Sequence, residues 1–217
     1  MDEWQFDSAS GFQLTKNQLI MKQVHKNVVL SRTKTVNNIL KIWNLSQPED
    51  RYDWYNEAYH FALSVSEVTD LNINQVCGVI AALSPRKTWE QNKIQAVQFI
   101  KTGNCGHMNA FKDKAARIIA CSGNEDQILK ILNGAKITSF YLNIRYPQQS
   151  INITIDRHAL SICLGRWINE FDYTGMTAKQ YAFFSDCYRH AAAKLAVSPL
   201  LVQSVTWVVW RRIKKDY

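Results

Sequence analysis

The chain has 217 residues, of which 47% are hydrophobic, so it can bury a core in one domain or in two small lobes. Its 26 Lys and Arg against 18 Asp and Glu give a net charge of +8, which favours a polyanionic partner such as nucleic acid. No apolar run reaches the roughly 18 residues of a membrane span, and residues 1–10 are polar and acidic, unlike a signal peptide. We therefore expect no membrane association and a cytoplasmic location.

The cysteines are scattered along the chain, and no two of them form a Cys-x-x-Cys pair. This pattern is typical of reduced thiols in an intracellular protein, and it lacks the ligand spacing of a zinc or iron–sulfur site. The sequence therefore predicts neither a metal nor a cofactor. The five cysteines are Cys77, Cys105, Cys121, Cys163 and Cys187.

Helical periodicity dominates the chain, because apolar residues recur every three or four positions, and we predict an all-α fold. The predicted helices cover 35–43, 52–68, 74–83, 88–101, 111–121, 125–132, 137–144, 157–164, 177–195 and 199–214. Thr177 is expected to cap the ninth of these helices, because threonine side chains accept hydrogen bonds from free N–H groups at helix starts. Residues 151–155 alternate like a strand, but one short strand forms no sheet.

A short turn containing Gly134 joins two predicted helices, and Lys136 follows it. Such a turn can direct backbone N–H groups at a phosphate, although most turns of this kind only connect helices. Asp156, 20 residues beyond Lys136, is the single acid of an apolar segment. A lysine near a helix start often only reaches solvent, and an aspartate there often caps the helix. Held close together, the amine and the carboxylate can attack and stabilise an electrophilic carbon.

Two further segments carry basic residues next to structural breaks. Arg86 and Lys87 lie in a Pro turn after a predicted buried helix, where they either probe a groove or base stack or lie in a solvated loop. At the C-terminus, Trp207 and Trp210 share one helix face and Arg211 follows them. This spacing is more typical of core packing than of a stacking platform, whereas the basic side chains can contact phosphates.

These segments together resemble the helix-hairpin-helix DNA glycosylases of the endonuclease III and 8-oxoguanine glycosylase type, over residues 74–166. Residues 83–93 are similar to the loop that fills the hole left by a flipped base, with Arg86 at the filling position. Residues 113–119 resemble the helix before the hairpin, and residues 132–136 resemble the hairpin itself. The frame Ile-Asp-Arg-His-x-Leu at 155–160 is most similar to archaeal-type 8-oxoguanine glycosylases. The two ends, 1–70 and 170–217, look more like phage-encoded relatives, which implies a bacterial or phage-infected host cell.

The resemblance implies that Asp156 stabilises positive charge on the sugar and that Lys136 attacks C1′ as a Schiff-base nucleophile. The usual hairpin has two glycines, and only Gly134 is present here. If Gly134 is the first of the two, Thr138 takes the position of the lysine; we prefer Lys136, because the helix after it then aligns through Asn143. The residues implied to contact DNA are Arg86, Lys87, Asn133, Gly134, Ala135, Thr138, Arg157, His158 and Arg211. The base pocket is expected to include residues 52–59, Tyr141, Gln203 and Trp207.

The implied fold has two helical lobes with a cleft between them. One lobe is a helical barrel at 48–146 that ends in the hairpin, and the other combines 1–47 with 147–217. The expected activity is that of a monomeric DNA glycosylase, with or without AP-lyase activity, on double-stranded DNA. Two alternatives stay open: a phage enzyme of the same fold that transfers an amino group to an activated thymine and leaves the glycosidic bond intact, and a non-catalytic DNA-binding module.

Overall fold

The computed structural model describes residues 20–23, 26–171, 173 and 175–215. In these ranges the chain forms a two-stranded antiparallel hairpin, ten α-helices and a short 3-10 helix, Pro48–Asp50. The strands are β1 (Ile20–Gln23) and β2 (Lys26–Val29). The helices are α1 (Arg32–Trp43), α2 (Trp54–Glu67), α3 (Ile73–Ala82), α4 (Trp89–Thr102), α5 (Asn109–Ala120), α6 (Glu125–Leu132), α7 (Ala135–Arg145), α8 (Arg157–Leu164), α9 (Ala178–Leu195) and α10 (Pro199–Lys215).

The predicted all-α class is confirmed for the described residues, apart from the hairpin of β1 and β2. The hairpin was missed because its segment contains no Asn-Gly or Asp-Gly pair, the strongest sequence indication of a tight β-turn. Residues 151–156 form no regular secondary structure. The predicted cap of α9 is confirmed, since the Thr177 hydroxyl accepts a hydrogen bond from the N–H of Gln180.

The buried hydrophobic side chains form two clusters. The first cluster is built by α2 to α7 and surrounds α3, in which every residue from position 75 to 82 is buried. The second cluster is built by α1, α8, α9 and α10, together with Ile153 and Ile155 of the segment that leads into α8. Leu200 of α10 belongs to the first cluster, so α10 packs against both.

The loop at 83–88 is held at one end of the first cluster by close packing of the helices beside it. α3 approaches α5 closely because Gly78 has no side chain: a Cβ there would lie 2.8 Å from the Ile118 Cγ2. After the loop, α4 is tied back to α3 by Asn92, whose Nδ2 donates a hydrogen bond of 3.0 Å to the Ile80 carbonyl. Both ends of the loop are therefore fixed.

Among the described helices, none is by itself long and apolar enough to cross a membrane. α9 and α10 meet the requirements of length and composition only as a pair, and they are bent by 100° at the break between them. Both helices contribute buried side chains to the second cluster.

Candidate active site

A cavity of about 120 Å³ lies where α2, α4, α7 and α10 meet the segment that leads into α8. Lys136 and Asp156, the two residues expected to carry chemistry, both line this cavity, as do the predicted Lys87, Gln203 and Trp207. The other lining residues are Trp54, Tyr55, Ser84, Thr88, Trp89, Asn92, Phe140, Thr154 and Ser204. The cavity therefore combines residues from distant parts of the chain.

Asp156 is the N-cap of α8 and is half-buried. Its Oδ1 accepts a hydrogen bond of 2.7 Å from the N–H of Ala159, and its Oδ2 accepts one of 3.0 Å from the indole Nε1 of Trp207. A carboxylate has about four lone-pair positions, so acceptor capacity remains on both oxygens. The two hydrogen bonds fix the orientation of the carboxylate against the cavity wall.

Tyr181 connects the segment before Asp156 to the start of the helix that carries Lys136. Its hydroxyl donates a hydrogen bond of 2.7 Å to the Ile153 carbonyl and accepts one of 3.1 Å from the N–H of Ile155. The same oxygen lies 3.3 Å from the Ala135 carbonyl, in the first turn of α7. Burial raises the pKa of the Tyr181 phenol, so the hydroxyl keeps its proton at neutral pH.

Aromatic rings form much of the cavity wall. The Trp54 ring is central to this wall, with its centroid 4.9 Å from that of Trp89 and 5.0 Å from that of Tyr55. Phe140 and Trp207 lie at 6.1 and 6.4 Å from the same ring. The wall therefore offers several aromatic faces against which a flat ring can pack.

A chain of buried hydrogen bonds fixes the amide of Gln203 at the cavity. Asn143 Nδ2 donates to the Thr154 hydroxyl at 3.1 Å, and the Tyr55 hydroxyl lies 3.2 Å from Thr154 Oγ1 and 2.7 Å from Gln203 Oε1. Burial raises the pKa of the Tyr55 phenol, so its single proton is available for the shorter bond to Gln203. Because Gln203 Oε1 accepts the hydrogen bond from Tyr55, the N–H groups of the same amide point away from Tyr55.

Asn92 adds a buried polar side chain to the wall. It is 2% exposed, and its Nδ2 is bound to the Ile80 carbonyl. Its Oδ1 is buried without a hydrogen-bond partner among the described residues. An unpaired buried acceptor is costly, so a ligand N–H or O–H that reaches this oxygen gains a favourable hydrogen bond.

Three predicted residues lie next to the cavity without lining it. His158 is half-buried with its ring edge-on to Trp207, at 6.1 Å between centroids. Burial lowers the pKa of His158, with Arg157 and Arg211 acting in the same direction and the Asp156 carboxylate opposing them. The Arg211 guanidinium lies over the Trp207 ring at 5.0 Å. Arg157 donates to a backbone carbonyl at 2.8 Å, that of Ile168.

The two basic residues of the loop at 83–88 have different surroundings. Lys87 lines the cavity, and its Nζ lies 3.4 Å from the Gly106 carbonyl. Arg86 is exposed and has a φ of 61°, in the left-handed region that non-glycine residues rarely adopt. Its Nε forms an ion pair of 3.3 Å with Glu170, from the loop after α8. Such backbone strain is found preferentially at functional sites.

The turn between α6 and α7 consists of Asn133, at a φ of 44°, and Gly134, at a φ of 113°. These residues and Ala135 line a second groove of about 390 Å³, which Lys136 also lines. Thr138 lies one turn further on, and its hydroxyl is close to the Gly134 and Ala135 carbonyls, at 3.0 and 3.2 Å. Of the two residues considered for the position of the nucleophile, Lys136 lines the first cavity and Thr138 does not.

The aromatic side chain that α7 contributes to the cavity is Phe140, in place of the predicted Tyr141. Tyr141 is fully buried in the first cluster and donates a hydrogen bond of 2.9 Å to Glu125 Oε1. Adjacent helix positions differ by about 100° in direction, so one residue of register moves a side chain from the cavity to the core. The sequence did not identify Trp89 as a lining residue either, although it begins α4 directly after the Pro turn.

In the part of the chain that the structure describes, no three His, Cys, Asp or Glu side chains lie close enough together to hold a metal ion. All five cysteines are free, and four of them are buried. The polar groups that line the cavity are two amines, a carboxylate, amides and hydroxyls, set against aromatic walls.

Among known proteins, the chain matches the model of one protein family. The matching family model is described as a family of unknown function, DUF7178, and it covers residues 21–214. No curated protein and no solved structure matches the chain. Because the matched region spans most of the sequence, the chain belongs to the DUF7178 family.

Proposed function

We propose that this protein is a DNA glycosylase that takes a base flipped out of duplex DNA into the cavity and cleaves its N-glycosidic bond. The observation that carries the proposal is that Lys136 and Asp156 line one aromatic-walled cavity of about 120 Å³. A base inside a duplex cannot be reached by an enzyme, so it must be rotated out and held between apolar side chains. A cavity that is walled by aromatic rings and carries polar groups suits that requirement.

In the proposed reaction, the bond between C1′ and the base nitrogen breaks and its electron pair leaves with the base. Asp156 stabilises the positive charge that develops on the sugar, because its carboxylate has free acceptor positions beside the cavity. The amine of Lys136 forms a new bond to C1′, and the proton that the nitrogen loses balances the one that the base takes up. Ring opening gives an imine; loss of a proton from C2′ then forms a C2′–C3′ double bond as the C3′–O bond breaks, so the 3′ phosphate leaves and the strand is cut.

The surroundings of the cavity supply contacts for the DNA backbone. The first turn of α7 has free backbone N–H groups beside the turn at Asn133 and Gly134, and helix starts of this kind bind phosphates. Arg86, at the tip of a loop whose two ends are fixed, is suited to fill the space of the flipped base. The net charge of +8 favours the same polyanionic partner.

The test is incubation with a panel of duplexes, each carrying one altered base, followed by measurement of strand breaks before and after alkali. A glycosylase gives alkali-dependent breaks on one class of duplex, and an enzyme with lyase activity gives breaks without alkali. A gain in mass of the modified DNA, with the glycosidic bond intact, identifies the amino-transfer alternative instead. Binding with no chemical change to any duplex would identify the protein as a non-catalytic DNA-binding module.

A further inference from the structure

The loop after α8, residues 165–171, has an anchored base and an exposed tip. Ile168 is 3% exposed, its N–H donates to Ser161 Oγ at 3.1 Å, and its carbonyl accepts from Arg157 at 2.8 Å. Three residues further on, Phe171 is 95% exposed, the highest exposure among the large hydrophobic side chains of the described residues. The anchored part therefore holds an aromatic ring out into solvent.

The tip of this loop lies beside Arg86. The Glu170 carboxylate is 3.3 Å from Arg86 Nε, and both side chains are exposed. Phe171 is the next residue, so its Cα lies about 3.8 Å from that of Glu170. The backbone of Phe171 thus lies close to Arg86, the side chain proposed to fill the space of a flipped base.

The loop combines aromatic and basic groups. Trp167 is 41% exposed, and the Arg157 guanidinium lies over its ring at 4.8 Å. Exposed aromatic rings interleaved with cationic side chains are suited to nucleic acid, because the rings stack on bases while the cations contact phosphates. Glu170 has the same sign of charge as a phosphate, so the approach of DNA favours its separation from Arg86.

We infer that Phe171 is a second DNA-inserting side chain, which enters the base stack of duplex DNA next to the site that Arg86 fills. This inference rests on the proposed function, since it takes duplex DNA as the partner. Apolar side chains inserted between bases unstack them and kink the duplex, and the ring gains the contacts that it lacks in the free protein. Two neighbouring side chains, Arg86 and Phe171, then hold the duplex open.

The inference is tested with a duplex that carries one abasic-site analogue and a 2-aminopurine beside it, whose fluorescence rises when it is unstacked. The variants are Phe171→Ala, Phe171→Trp and, as a matched control, Val68→Ala, because Val68 is an apolar side chain that is 78% exposed and does not line the cavity. Phe171→Ala is expected to bind roughly tenfold more weakly, in line with the loss of one base–aromatic stack, and to give no fluorescence rise at saturation. Phe171→Trp is expected to restore both signals, and Val68→Ala to behave as wild type.

Equal affinity and an equal fluorescence rise for wild type and Phe171→Ala would overturn the inference, as would a wild-type protein that binds no duplex. The two proposals fail separately. If wild type releases base and Phe171→Ala binds the duplex as wild type does, the inserting role of Phe171 is wrong and the glycosylase activity stands. A Phe171-dependent fluorescence rise with no base released from any altered duplex removes the glycosylase activity and keeps the DNA-binding loop.

Discussion

Trp207 donates the hydrogen of its indole Nε1 to Oδ2 of Asp156 at 3.0 Å. The bond joins the middle of α10 to the start of α8, and Trp207 also lines the cavity. One side chain therefore both shapes the wall and orients the carboxylate. These two roles can be separated by substitution.

Trp207→Phe keeps an aromatic ring and removes the hydrogen bond to Asp156. Because hydrogen bonds to charged groups contribute about 1.5–3 kcal/mol, we expect kcat for base release to fall roughly tenfold or more while KM changes little. Trp54→Ala removes a ring from the wall without touching Asp156, and we expect it to raise KM chiefly. The measurement is steady-state kinetics on the preferred duplex, and an unchanged kcat in Trp207→Phe would remove the positioning role.

Lys136→Gln is expected to abolish covalent trapping of the protein on DNA by borohydride, because reduction requires an imine between its amine and C1′. Lys87→Gln is the matched control, since Lys87 is a second lysine that lines the same cavity. We expect the trapped adduct to persist in Lys87→Gln, with the gel shift of wild type. If wild type releases base and gives no adduct, Gly134 corresponds to the first of the two hairpin glycines and Thr138 takes the position of the lysine. Water is then the nucleophile.

Arg86→Ala is expected to weaken binding to duplexes with an extruded base roughly tenfold, because a filling side chain offsets part of the cost of unstacking. Binding to single strands should change little. Arg86→Gly is a useful partner variant, since glycine adopts the φ of 61° without strain and should raise the melting temperature while losing the same affinity. Filter binding on the two substrates checks this, and equal losses on both would indicate an ordinary phosphate contact.

The stability of the protein is expected to fall as the pH drops below about 6.5, the ordinary pKa of histidine. Burial lowers the pKa of His158 in the folded state, so the unfolded state binds the proton more readily and gains from acidification. The contribution of neutral His158 to the free energy of unfolding is complete above the pKa that histidine has in the unfolded state. As the pH falls below that value, this contribution is lost by up to about 1.4 kcal/mol per pH unit. Thermal melts at neutral and acidic pH should show a smaller difference for His158→Gln than for wild type, whereas substitution of the exposed His60 should leave the difference unchanged.

Most helices could be predicted from the sequence because their ends carry local signals. α6 and α8 begin and end at the predicted residues. Each starts after an Asn or Asp cap, and α8 ends at Gly165, which has the left-handed φ of 64°. The hairpin of β1 and β2 carries no comparable turn residues, and therefore periodicity alone did not reveal it.

The candidate site could be predicted only where a residue type was unusual for its segment. Asp156 and Lys136 stood out as charges near apolar residues, and both line the cavity. The walls could not be predicted in the same way, because Trp54 and Phe140 continue ordinary apolar faces of their helices. Which side of such a face meets a cavity depends on how helices from the two clusters pack, and local hydrophobic periodicity does not reveal that packing.

Asp156→Asn gives the sharpest test of the cavity as the place of chemistry. Asparagine caps a helix as well as aspartate does, so the variant should fold and bind duplex DNA normally, with a lower melting temperature because its Nδ2 cannot accept the hydrogen bond from Trp207. The measurement is mass spectrometry of free base released from the panel of altered duplexes by the two proteins. We predict one class of free base from wild type and none from Asp156→Asn. Release at the wild-type rate by Asp156→Asn, or no release from any duplex by wild type, would contradict the account.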